Sequence, residues 1–217
     1  FLRYLPDKLT LNPTTLLANK VKEAEQDLVT LQQLQWHENY LLPAVFEGDA
    51  RNLSTVPFSR EPTLILTSPP YANRYDYTRS YSLELCVNFV HSFEALKKLR
   101  FSVLRSHIEA KASPEDYSPH EAVTEILECL KPQQDRDKLN NERIPTMLLA
   151  YFVDMQKVIR EWYRVCAKGA TVVMVIDNVR FAGEHVPVDL ILSDLAHREG
   201  FQVKKILVAR YKGNSSQ

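Results

Sequence analysis

The run Leu64-Ile65-Leu66-Thr67-Ser68-Pro69-Pro70-Tyr71 constrains this chain more than any other stretch. A short apolar segment stops abruptly at Ser-Pro-Pro-aromatic. Proline fixes φ and has no N–H, so two in succession make a stiff exit that neither a helix nor a central strand can continue. The segment before them therefore reads as a short buried strand. The exit offers a hydroxyl, outward carbonyls and a flat aromatic face. Those are the groups an extruded nucleobase with an exocyclic amine requires.

The rest of the chain supplies the frame for such a strand. Pro13 after Asn12, with Leu16, Leu17, Val21, Ala24, Leu28, Leu31 and Leu34, predicts a helix over 13–39. A short strand is expected at 44–46, before Gly48-Asp49-Ala50-Arg51. Helix is expected at about 80–111, 119–130 and 145–167, the last stopping at Lys168-Gly169. The β-branched run 171–176 suits a strand buried on both faces, closed by Asp177-Asn178. A helix over 188–198 ends at Gly200, and a last strand is expected at 203–211. Strands alternating with helices imply an α/β sheet. In such sheets ligands sit beyond the carboxyl ends of the strands. Asp49, Ser68 and Asp177 each fall at one.

Composition narrows the class. The apolar and charged fractions, 45% and 25%, are those of a globular protein, and no run approaches a membrane span. Net charge is zero, which argues mildly against strong autonomous DNA binding. Cys86, Cys129 and Cys166 are scattered, as thiols are in a reducing compartment. No histidine spacing suggests a metal.

Thr67-Ser68-Pro69-Pro70-Tyr71 resembles the catalytic motif of the amino-methyltransferases of DNA. The Ser form is similar to that of the cytosine N4 enzymes; Asp is commoner in adenine N6 enzymes. The continuation 72–85 resembles one branch of the bacterial site-specific methylases. The resemblance runs over most of the chain outside an insert at 96–145. It implies a Rossmann-like methyltransferase sheet, mostly parallel with an antiparallel last strand, in a single domain 1–217 that is either incomplete at its amino terminus or has lost its cofactor site. It implies S-adenosylmethionine as methyl donor, DNA as substrate, a cytoplasmic setting and no membrane. Ser68, Pro69, Pro70 and Tyr71 would be catalytic: the Ser68 hydroxyl and Pro69 carbonyl accept from the target amine and Tyr71 stacks on the base. Asp49 and Ala50 would hold the cofactor's adenine side. Thr10 stands where a ribose-binding acid is expected. Arg74 and Arg79 are candidates for DNA contact, with salt bridges to Asp76 or Glu84 as the alternative. Asp177-Asn178 either borders the base pocket or is a turn. The insert is either a target-recognition element or a connecting stretch.

One element departs from the family. Its glycine-rich cofactor loop is absent: the five glycines, Gly48, Gly169, Gly183, Gly200 and Gly213, are too far apart to form it. The base half of the site is written out and the cofactor half is not. Either a preceding segment or partner subunit supplies the loop, or the chain is a non-catalytic subunit that binds nucleic acid or a catalytic partner. Adenine N6 remains the rival target.

Overall fold

A computed structural model describes residues 12–33, 43–109, 111, 113, 120–135 and 139–210. Packing divides the chain into two units, 1–46 and 47–217. Within the first, helix α1 (Pro13–Gln33) starts as the sequence predicts. The Asn12 side chain accepts from the Thr14 N–H at 2.9 Å, and Pro13 opens the first turn. The rest of the expected helix, 34–39, lies outside the described residues. Residues 44–46 form no strand. Asp49 belongs instead to a tight turn closed by an isolated bridge to Asn52, so it does not sit at a strand end as expected.

The second unit is built on two parallel strands. Strand β1 (Leu64–Thr67) pairs with β2 (Thr171–Met174) in the register Leu64↔Thr171 to Thr67↔Met174. The ladder continues one bond further, where the Val175 N–H donates to the Thr67 carbonyl at 2.9 Å. Ile65, Val172, Met174 and Ile176 pack against the core. On the opposite face Leu64, Leu66, Val173 and Val175 are exposed, Leu66 to 72%. The expectation of a strand buried on both faces is therefore not met: one face is half-buried and the other exposed. Parallel sheets need cover on both.

Beneath the covered face runs the central helix. α6 (Ile144–Val165) buries Met147, Leu148, Tyr151, Phe152, Met155, Val158, Ile159 and Trp162. α7 (Val188–Arg198) lays Ile191, Leu192 and Leu195 against it. α5 (Glu121–Asp135) adds Val123 and Leu130, both almost fully buried. That part of the insert is thus core, not a loose connection. The expected helix at 80–111 is broken into α2 (Tyr77–Ser80), α3 (Ser82–Asn88) and α4 (Phe93–Ser102). Ser92 causes the break before α4, where its hydroxyl accepts from the Ala95 N–H at 3.1 Å; Asp76 starts α2 ahead of the expected range by accepting from the Thr78 N–H at 2.9 Å.

A hairpin, β3 (Val179–Phe181) and β4 (Glu184–Val186), follows β2. Its two turn residues, Ala182 and Gly183, both have positive φ, the geometry that suits the twist of a tight hairpin. The antiparallel last strand expected at 203–211 is not formed over 203–210. Val203, Ile206, Leu207 and Val208 are exposed there. A strand exists only where a neighbouring backbone takes its hydrogen bonds, and no described strand edge does so.

Two expectations concern stability. α7 ends in a six-to-one bond from the Phe201 N–H to the Ala196 carbonyl, at 2.9 Å, around Gly200 at φ +107°. A Cβ there would lie 2.7 Å from the Tyr163 ring. Gly200→Ala should cost about 1–3 kcal/mol of unfolding free energy in urea titrations. Secondly, Glu161 on α6 accepts from Arg164 and, at 2.7 Å, from the Leu53 N–H. Led by the Arg164 bond, these hold its carboxyl down to about 2 from the usual 4.5. The depressed value means the stabilisation is full above 4.5 and lost as pH falls towards 2. Glu161→Gln should flatten that stretch of the stability–pH curve, and an unchanged slope in thermal melts would refute the assignment.

Candidate functional site

The parallel ladder decides where the Ser-Pro-Pro-Tyr segment sits. The Thr67 carbonyl is pinned to Val175, so Ser68 leaves the sheet beside 175–177, at the carboxyl edge of both strands. Pro69 is buried, Pro70 and Tyr71 are half-buried, and Ser68 is exposed. Ala72, fully buried, anchors the far end of the segment in the core. The Ser68 and Tyr71 hydroxyls are hydrogen-bonded to each other at 3.1 Å. The hydroxyl and the aromatic face expected to share one base are thus already neighbours.

More aromatic surface follows. Tyr75 and Tyr77 meet edge to face with centroids 4.8 Å apart, and Tyr77 and Tyr81 lie parallel at 6.4 Å. All three are exposed. Burial and the neighbouring phenols, Tyr71 among them, raise the Tyr77 phenol above its ordinary range. Exposed tyrosine rings are stacking surfaces for bases. The sequence reading named only Tyr71; the recurrence of tyrosine at 71, 75, 77 and 81 was the available signal. Tyr151 was also missed. Its ring is completely buried, its hydroxyl has no partner among the described residues, and burial lifts its pKa far above the usual value. Nothing in the α6 pattern distinguishes it from a core aromatic.

The two candidate arginines separate. Arg79 pairs with Asp76 at 3.3 Å and with Glu109. Arg74 pairs with no carboxylate among the described residues; it takes φ +71° and sits 5.8 Å above the Phe181 ring. The salt-bridge alternative therefore describes Arg79, not Arg74. Asn178 accepts from the Asp189 N–H at 3.0 Å and so serves the start of α7.

Asp49 is occupied. Its carboxylate accepts from the Arg51 N–H at 2.9 Å and from the Arg51 guanidinium through both oxygens, at 2.7–3.1 Å. The Arg51 bonds lower its pKa. Arg51 in turn reaches Asp154 on α6 at 3.0 Å. Asp154, 1% exposed, also takes three bonds from Arg105, through the backbone N–H, Nε and Nη2. A buried carboxylate thus ties the 49–52 turn and the segment after α4 to α6. Sequence reading missed this, because neither arginine lies near Asp154 in the chain. Ala50 lies exposed in the same turn. Thr10 lies outside the described residues. Among the described residues no group of three or more metal-ligating side chains occurs.

The chain is 45% identical over 163 residues to the Type II methyltransferase M.AvaI of Nostoc sp. (strain PCC 7120), and equally to M.AvaI of Anabaena variabilis. It is 36% identical over 174 residues to the Type II methyltransferase M.BsoBI of Geobacillus stearothermophilus. Each match covers 70% of this chain and 34% of the relative, so the chain spans about a third of the length of the curated relatives it matches. No protein-family model and no solved structure matches. The homologues are Type II DNA methyltransferases, a kinship that supports a DNA methyltransferase.

Enzymes of this type generally use S-adenosylmethionine. The described residues do not by themselves make its cradle. Three hydrogens of Arg51 already point at the Asp49 carboxylate, whose side chain stays half exposed. No glycine loop is present to let backbone approach the ligand.

The charge cluster carries a test. Asp154→Ala leaves Arg51 and Arg105 without their shared buried counter-charge. It should cost about 3–5 kcal/mol in urea unfolding. A loss below about 1 kcal/mol would show that solvent satisfies both guanidiniums as well as Asp154 does.

Proposed function

We propose that this chain carries the base-binding half of a site-specific DNA amino-methyltransferase that modifies the exocyclic amine of an extruded base, cytosine N4 in preference to adenine N6. The observation that carries the reading is the exposed Ser68 hydroxyl at the carboxyl edge of a parallel ladder, hydrogen-bonded to Tyr71. The kinship to Type II methyltransferases supports it. S-adenosylmethionine is the methyl donor the reading implies, and DNA is the substrate.

The chain's own task is to hold the base. The amine lone pair of cytosine or adenine is delocalised into the ring. The Ser68 Oγ and Pro69 carbonyl accept from its two hydrogens and draw the nitrogen towards a tetrahedral, nucleophilic geometry. Acceptors fixed in place before the reaction need no reorganisation during it. Tyr71 stacks on the extruded ring, worth about 1–3 kcal/mol against the cost of unstacking. Arg74 is assigned to a DNA phosphate or base edge, since its charge has no carboxylate partner among the described residues. Arg79, ion-paired, is assigned a supporting part.

A second reading has its own support. The Asp49–Arg51 ion pair, together with the lack of a glycine-rich loop in these 217 residues, favours a subunit that binds DNA or a catalytic partner and leaves the methyl donor to other residues.

The test is transfer of labelled methyl groups from S-adenosylmethionine to duplex DNA, followed by digestion to nucleosides. The expected product is N4-methyl-deoxycytidine. Ser68→Ala should lower the rate about 10²-fold, with DNA affinity unchanged within about threefold. Label in N6-methyl-deoxyadenosine would move the target to adenine. Duplex binding without transfer would favour the non-catalytic subunit.

A further inference from the structure

The tyrosines that follow the Ser-Pro-Pro-Tyr segment are arranged by one helical turn. Asp76 caps α2, which makes Tyr77 its first residue. The Tyr81 N–H donates to the Tyr77 carbonyl at 2.9 Å and closes the turn. Residues four apart on a helix are neighbours on its surface. The two rings are accordingly parallel to within 1°, with centroids 6.4 Å apart. Tyr75 sets itself edge to face against Tyr77 at 4.8 Å. This packing leaves the rings open to solvent: Tyr75, Tyr77 and Tyr81 are 45%, 39% and 53% exposed.

Charge at the same turn favours a nucleic-acid strand as the occupant. A cleft of about 200 Å³ opens there, with Arg74, Asp76, Arg79 and Glu109 in its lining. Asp76 and Glu109 are each paired with both Arg79 and Arg100. Arg74 adds a positive charge that no carboxylate among the described residues offsets. Exposed aromatic faces beside positive charge are what unpaired strands bind. Base extrusion supplies such a strand, because removing one base from the stack uncovers the face of its neighbour. Tyr71 lies near enough to Tyr77 for its phenol to raise that of Tyr77. The place of the extruded base and the tyrosine pair therefore adjoin.

We propose that the parallel Tyr77–Tyr81 pair is a second base-binding platform, on which the unpaired neighbour of the extruded base stacks while the target is held at Ser68. The proposal rests on the DNA-methyltransferase reading and deepens it: the substrate is duplex DNA opened over two adjacent nucleotides, not one. Every base has a π-face, so the platform offsets part of the unstacking cost without reading sequence.

The experiment measures binding of mixed-sequence duplexes of about 20 base pairs to the whole chain at low salt, by fluorescence anisotropy. One duplex is fully paired. A second carries a single cytosine opposite an abasic site. A third carries that cytosine beside a 2-aminopurine, both opposite abasic sites; 2-aminopurine emission falls when the base stacks. The third should bind at least about 10-fold tighter than the second, the effect of one stacked base, with its emission quenched. Tyr77→Leu with Tyr81→Leu keeps two apolar side chains and loses both ring faces. It should remove the preference and the quenching. Tyr77→Phe with Tyr81→Phe keeps the rings and should retain both. Equal binding of the second and third duplexes, or an unchanged preference in the leucine variant, overturns the proposal. Methyl transfer from S-adenosylmethionine, lowered by Ser68→Ala, would in that case leave the methyltransferase reading standing. If no duplex binds, both readings fall.

Discussion

The bond from the Val175 N–H to the Thr67 carbonyl is the point on which the site depends. It is the last rung of the parallel ladder, and Ser68 is the next residue. Because Pro69 and Pro70 cannot extend the ladder, the chain must leave the sheet there. The exit is fixed at one end by that rung and at the other by Ala72 in the core. Between two fixed ends the Ser68 and Tyr71 hydroxyls come to 3.1 Å of each other.

The surroundings of this exit are held by charge rather than by sheet. Asp154 on α6 collects Arg51 and Arg105, and so anchors two stretches that have no regular structure of their own. A second set, Asp76, Arg79, Arg100 and Glu109, closes the side where the tyrosines begin. Both sets are strongly engaged internally, which is why the neutral overall charge conceals a site rich in arginine. Arg74 alone of the two arginines proposed for DNA is left without a carboxylate among the described residues, over the Phe181 ring.

Local signals in the chain were read well where a segment's own chemistry decides its structure. α7 matches the expected 188–198, since Gly200 supplies the left-handed residue that stops it. The start of α1 follows from Asn12 and Pro13, and β1 from an apolar run cut by two prolines. Misreadings fell where a distant partner decides. The apolar residues of 203–210 suit a strand, but a strand without a neighbour has nowhere to place its hydrogen bonds. The helix expected through 80–111 has the right residues, but Ser92 uses its side chain to start a new helix within the stretch.

The site divides in the same way. Sequence alone determined that a polar, aromatic exit follows a strand at Ser68, because proline stereochemistry acts on the nearest residues. It also determined that these 217 residues hold no glycine-rich loop. Only the tertiary structure decided that Asp154 gathers Arg51 and Arg105, and that among the described residues Arg79 is paired with carboxylates while Arg74 is not. Each of these depends on which groups the fold brings within about 3 Å of one another, and hydrogen bonds and ion pairs at that range carry no signature in sequence spacing.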